Sequence, residues 1–434
     1  MHTARTWIAT GLFFFCAGAG ATFAPAALAQ ESLLDQARAA ARSGDPRASL
    51  SYARALRRAG RDTEAAQELR PRVAQTPGGP LGVALRWELA RVAIARHEFQ
   101  QAMAHCRSAG AIAGGATAGH ACAAEAHLLW RRASEALLET AQALKGGTKS
   151  YEAKVAEGSA HELQLDDDAA EASFREAVAW QPDAWEGHVS LGRLLVRRGK
   201  RDEGTAELKR AIQVDPHGPE ARYELALTLP ASAGAEAAAL LEGAIRERQS
   251  YAPALRKLAE IDMGLGRKDE ARKAAEIALS ADPRDAASHL IMGRVALGEG
   301  KLDDAIKEGQ AALAILANSA GAKLLIADAY AKKGEIDLAV ESYQAAFGFD
   351  HADPTSLVRA SEACRAAGRD TSAKAFGEKA SREFPDWAPA WVALGDALVA
   401  NKEVASARVA YETALKSKGP LDTAAVQRKM AALR

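Results

Sequence analysis

Residues Trp185 to Pro216 read WEGHVSLGRLLVRRGKRDEGTAELKRAIQVDP. Two amphipathic helical patterns meet at a tight turn, Arg198-Gly199-Lys200, and Asp215-Pro216 closes the unit, since proline cannot continue a helix. Two antiparallel helices approach closely only where their side chains are small. The small positions here are Gly192 on the first helix and Gly204 and Ala211 on the second, interleaved with Leu191, Leu195 and Leu208. Small beside large lets one ridge seat against the next.

The same layout returns at a spacing of about 34 residues along most of the chain. The Gly192 column continues through Gly158, Ala226, Ala259, Gly293, Ala327, Ser361 and Gly395. The Gly204 column reads Ala170, Ala237, Ala271, Ala305, Ala339, Ala373 and Ala407, and the Ala211 column Ala177, Ala244, Ala278, Ala312, Ala346, Ala380 and Ala414. General alanine enrichment would scatter these residues rather than align them in three columns with charged residues between.

This pattern resembles the tetratricopeptide repeat, and the unit Trp391, Leu394, Gly395, Leu398, Ala407, Tyr411, Ala414 is nearest to it. The resemblance implies an all-α fold, a helical-hairpin solenoid wound as a right-handed superhelix, with about 11 repeats of which the first three are divergent. Regular units begin near Tyr151, Trp185, Pro219, Ala252, Ala286, Ala320, Pro354 and Ala388, and Pro230 shortens the Pro219 unit by cutting its first helix.

The expected division is an export signal over 1–29, a capping helix over 30–45, divergent repeats over 46–150, the regular array over 151–420 and a second capping helix over 421–434. The signal rests on His2 and Arg5 ahead of the apolar run Trp7 to Phe15, and on Ala27-Leu28-Ala29 before Gln30. Its rival is an uncleaved anchor, against which stand Gly11, Gly18, Gly20 and the short apolar run. Within the divergent part, Thr76 to Gly82 is the clearest breaker, and His120 to Leu144 reads as one long helical pattern.

Lys plus Arg equal Asp plus Glu at 56 each, so no basic face for nucleic acid is expected. No phosphate loop, HExxH or GxSxG is present, and no cofactor is implied. His97, His105, Cys106, His120, Cys122 and His127 form the densest reactive cluster. Adjacent or two-apart ligands on helices point to different faces, so spacings suited to a metal are missing. A Cys106–Cys122 disulfide is the plainer reading in an exported chain, with two free thiols or a metal site as alternatives. Cys364 reads as a small core residue.

The tetratricopeptide resemblance further implies that first helices line a concave partner-binding face, where the residue after the Gly192 column points into the groove. That places Ser159, Arg193, Leu227, Glu260, Arg294, Asp328, Glu362 and Asp396 there, with Arg197, Arg256 and Arg359 nearby. The family's carboxylate clamp uses groove asparagines and lysines, whereas Asn318 and Asn401 lie outside that column. The bland alternative is a solvated face. The expected function is a non-catalytic, exported, periplasmic scaffold holding a protein or peptide partner in an envelope assembly. The alternatives are an accessory or substrate-recruiting subunit of an envelope enzyme or polysaccharide-export complex, and a self-stacking structural protein.

Overall fold

The computed structural model describes residues 34–433; the expected export signal lies outside them. The described chain is helical throughout, without a β-strand. It divides into two units, residues up to Arg198 with 246–249, and 199–245 with 250–434.

The first unit contains α1 (34–41), α2 (Pro46–Arg58), α3 (Asp62–Gln75), α4 (Gly79–Ala95), α5 (Phe99–Gly110) and α6 (Ala116–Leu129). It continues with α7 (Ala133–Ala143), α8 (Tyr151–Leu163), α9 (Asp167–Trp180) and α10 (Trp185–Arg197). The second unit holds α11 (Arg201–Val214), α12 (Pro219–Thr228), α13 (Gly234–Glu247, its last two residues falling in the first unit), α14 (Ala252–Gly264), α15 (Lys268–Ala281), α16 (Ala286–Gly298) and α17 (Leu302–Ile315). Then follow α18 (Ala320–Lys333), α19 (Ile336–Phe349), α20 (Thr355–Ala366), α21 (Asp370–Glu383), α22 (Ala388–Ala400), α23 (Val404–Ala414) and α24 (Thr423–Ala432). Within each unit most consecutive helices pack against one another, and first helices of successive hairpins also touch, as α4 does α6, α6 does α8, α16 does α18 and α20 does α22.

All three small columns are buried. Ala170, Ala177, Ala259, Ala271, Ala278, Ala305, Ala312, Ala327, Ala339 and Ala373 are fully enclosed. Gly158 shows why: an added Cβ would stand 2.6 Å from the ring of buried Phe174. Ser361 is the one polar member of its column, and its hydroxyl donates to the Ala373 carbonyl across the hairpin at 2.7 Å. Larger side chains fill the space between, as Phe174, Leu191, Leu194 and Leu195 do in the first unit.

Most hairpins turn on one residue in the left-handed region; the α12–α13 hairpin instead turns through Pro230 and a single 3-10 turn at Ala231–Ala233. Gly334 is left-handed at φ 80°, followed by a bond from the Glu335 N–H to the Tyr330 carbonyl at 3.0 Å, which caps the helix end. His97, Arg131, Leu165 and Lys402 occupy the same turn position without being glycine. Arg131 corrects the reading of His120 to Leu144 as one helix: α6 stops at Leu129 and α7 starts at Ala133. The turn carries no glycine or proline signal, yet the Arg132 N–H closes onto the His127 carbonyl at 3.0 Å as in the other hairpins.

Both ends of the described chain carry an extra helix. Leu34 and Ala41 of α1 share a buried cluster with Leu50, Leu56 and Leu69. Val426 of α24 is buried with Leu394, Leu398 and Tyr411, with Met430 and Leu433 beside it. Cys106 of α5 and Cys122 of α6 form a disulfide with their Cα atoms 5.4 Å apart. The backbones meet there because both helices carry glycine: a Cβ on Gly119 would lie 2.5 Å from the Gly110 Cα. Cys364 is buried as a free thiol.

Candidate functional site: the first-helix wall

The residue after the Gly192 column is bonded more often than it is free. In the first unit Arg193 donates to Glu162 at 2.7 Å, and Arg197 reaches Glu162 at 2.9 Å and Asp167 at 2.5 Å. In the second unit Arg256 pairs with Asp285 at 3.4 Å, and Glu260 with Lys257 at 3.2 Å. Asp328 accepts the Tyr343 hydroxyl at 2.8 Å and an ion pair from Arg359. Asp396 repeats that arrangement, taking the Tyr411 hydroxyl at 2.6 Å and the Lys429 ammonium at 2.6 Å. Arg294 and Glu362 are exposed and form no ion pair among the described residues.

The pairing has a geometric origin. Neighbouring first helices lie side by side, so a side chain meets a partner about one repeat away in sequence. Asp328 and Arg359 are one such couple, and Asp396 and Lys429 another. Burial raises the Asp328 carboxyl above its usual range, partly opposed by Arg359 and the Tyr343 hydroxyl. Burial raises the Tyr343 and Tyr411 phenols, each reinforced by the carboxylate it bonds. Beside the first couple lies a cleft of 640 Å³ lined by Asp328, Tyr343, Arg359, Glu362, Ala363 and Ile336, among others.

The divergent hairpins extend the same column. Stepping back one repeat at a time from Arg193 gives Ser159, Glu125, Arg91 and Arg57, each following a column residue: Gly158, Ala124, Ala90 and Leu56. Glu125, Arg91 and Arg57 were missed from sequence because the flanking columns there are irregular, although the period alone could have found them. Arg57 and Arg54 close on buried Glu88 at 2.6 and 3.4 Å. Arg91 grips Glu125 through two bonds of 2.6 and 3.0 Å, and the Trp87 indole donates to the same carboxylate at 3.2 Å. Burial works against the Glu125 carboxylate, but Arg91 and Trp87 overcome it and hold the group below its ordinary range.

Next to this pair is a cleft of 320 Å³ lined by Arg91, Glu125, Leu128, Tyr151, Glu152, Val155, Ala156, Ser159, Gln181, Ala184 and Glu186. Tyr151 is buried and ties α8 to α10, its hydroxyl accepting the Gly187 N–H at 2.6 Å. Burial raises the Glu186 carboxyl, and Glu186 and Glu152 form no ion pair among the described residues. A second cleft of 380 Å³ is lined by Leu128, Arg131, Ser159, Glu162, Leu163, Leu165, Arg193 and Arg197. Leu128 and Ser159 belong to both, so the two are one trough across α6, α8 and α10.

Among the described residues no group of His, Cys, Asp or Glu is placed to hold a metal ion. His120 bonds Glu139 at 2.6 Å, and His127 stacks edge-on against Phe99. No described helix is long and apolar enough to cross a membrane.

Paired helices with small residues at their crossings, repeated through both units, define a helical-hairpin repeat protein. The tetratricopeptide repeat profile matches residues 189–253, 256–320 and 357–423, and a second profile of that repeat matches 320–351. The chain belongs to the tetratricopeptide repeat family, and its coarse role is that of a protein-interaction scaffold. No curated protein matches the sequence. Among solved structures, a chain of the APC/C hetero-tetramer Cut9–Hcn1 is 14% identical with a TM-score of 0.46, over 86% of this chain and 92% of that one. Yeast Tom70 is 12% identical with a TM-score of 0.45, over 94% and 95%. YrrB, a TPR protein with an unusual peptide-binding site, is 19% identical with a TM-score of 0.38, over 43% of this chain and 97% of that one.

Proposed function

We propose that this chain is a non-catalytic, exported scaffold that holds a protein partner against its first-helix wall, as part of an envelope assembly. The observation that carries the binding face is the trough over α6, α8 and α10, where apolar Leu128 and Val155 lie beside charged groups that the hairpins leave without ion pairs. Export is supported by the basic start, the apolar run from Trp7 to Phe15 and Ala27-Leu28-Ala29. The periplasm is the proposed destination, a compartment that tolerates the Cys106–Cys122 bond.

A photo-crosslinking residue at Ser159 on the wall, and another at exposed Leu138 on the second helix α7, tests the face. Crosslinking of one partner from Ser159 and not from Leu138 is the expected result. Equal labelling from both, or none from Ser159, refutes the face. Fractionation with N-terminal sequencing tests export: the mature chain should begin at Gln30, and an intact Met1 in the cytoplasmic fraction refutes it.

A further inference from the structure

The two halves of the trough differ in sign. One holds the carboxylates of Glu125, Glu152 and Glu186 against the single guanidinium of Arg91. The other is lined by Arg131, Arg193 and Arg197, with Glu162 the carboxylate in its lining and Asp167 also paired to Arg197. Internal pairing leaves a residue at each end. Arg91 is consumed by Glu125 through both its bonds, so Glu152 and Glu186 face the first half unpaired. Glu162 is shared between Arg193 and Arg197, and Arg131 makes no ion pair among the described residues. Leu128 sits between the halves as an apolar floor.

The rest follows from helix geometry. Glu186 and Arg193 stand seven residues apart on α10, so they share a face and are separated by about 10 Å along its axis. An extended peptide covers that distance in about three to four residues, and because its side chains alternate faces, the even spacing of four keeps both ends and the residue midway on one side. We propose that the trough takes an extended peptide segment carrying a lysine or arginine and an aspartate or glutamate four residues apart, with an apolar residue midway between them on the same face. The cation seats by Glu186 and Glu152, the anion by Arg131 and Arg193, and the apolar side chain on Leu128. A single-sign ligand such as a nucleic acid would meet repulsion in one half, and mixed charge selects against such partners. This inference rests on the scaffold reading and names the chemistry of its ligand.

The test uses fluorescein-labelled 12-residue peptides, blocked at both ends, and the full chain, read by fluorescence anisotropy. Two peptides place Lys and Glu four residues apart with a leucine midway, one in each order. Controls carry Lys alone, Glu alone, neither charge, or the two charges eight residues apart. At least one of the first two should bind about tenfold or more tighter than every control, and lose that advantage in salt. Glu186→Gln, nearly isosteric, should erase the preference for lysine while the preference for glutamate remains; Glu152→Gln should weaken it in the same sense. Arg131→Ala should weaken the preference for glutamate, and Arg294→Ala in the second unit should change neither.

Equal binding of all peptides, or a lysine preference that survives both Glu186→Gln and Glu152→Gln, overturns the proposal. A natural partner crosslinked from Ser159 that binds Glu186→Gln and Arg131→Ala with undiminished affinity also overturns it, while leaving the scaffold reading intact. Failure of Ser159 to crosslink any protein removes the scaffold face itself.

Discussion

Replacing Gly395 with alanine tests the packing rule on which the fold rests. A Cβ there would stand 2.5 Å from Cε1 and 2.7 Å from Cδ1 of Tyr411, where carbon atoms prefer roughly 3.5–4.0 Å. Tyr411 is only 2% exposed, enclosed by Leu394, Leu398 and Val426. Its hydroxyl is held by Asp396 at 2.6 Å, and the same carboxylate anchors Lys429 of α24. The ring must move by about 1 Å to restore contact. Overpacking costs about 1–3 kcal/mol, and a broken hydroxyl bond about 1 more. Alanine returns about 1 kcal/mol of helix propensity. The expected net loss is therefore about 1–3 kcal/mol.

Gly348→Ala in α19 is the control, since nothing lies within 4 Å of its added Cβ. It should stabilise by a few tenths to about 1 kcal/mol. Repeat arrays open locally, so hydrogen exchange resolved over α22 to α24 is the proper assay, with urea unfolding beside it. Faster exchange in those helices for Gly395→Ala, and none for Gly348→Ala, is the expected result. Unchanged or stronger protection in Gly395→Ala would refute the view that the column is small because the partner helix occupies its space.

Burial pushes the Asp262 carboxyl up to about 6, opposed by Arg267 at 3.2 Å, so its ionisation disfavours the second unit. The penalty is absent below about pH 4 and grows as pH rises through 6, so Asp262→Asn should flatten that slope and stabilise at pH 8, read by urea midpoints across pH. A parent midpoint that rises with pH over this window refutes it. Cys122→Ser should weaken the first unit by about 3 kcal/mol, measured by local hydrogen exchange. Free thiols at both Cys106 and Cys122 in a non-reduced digest would remove that bond. Lys402 holds φ 63° at an exposed turn, so Lys402→Gly should raise the melting temperature slightly, a gain of about 0.5–1 kcal/mol; a lowered one refutes the strain.

The hairpin fold was legible in the sequence because each repeat touches only its neighbours, so close approach must recur at a fixed interval. Gly158, Gly293 and Gly395 announce a crossing whether or not the rest of the chain is known. The turn at Arg131 was not legible, since its left-handed backbone is held by the packed helices around it and not by glycine. Nor was the state of the charges. Asp328 and Asp396 read as groove residues, yet each is engaged by a tyrosine of its own hairpin and a cation from the next first helix. Which carboxylates stay unpaired, Glu152 and Glu186 among them, depends on side chains a full repeat away and on the Arg91–Glu125 grip. Period fixes where backbones meet; only the packed structure decides which charges neutralise one another, because that choice is made between helices brought together by the fold.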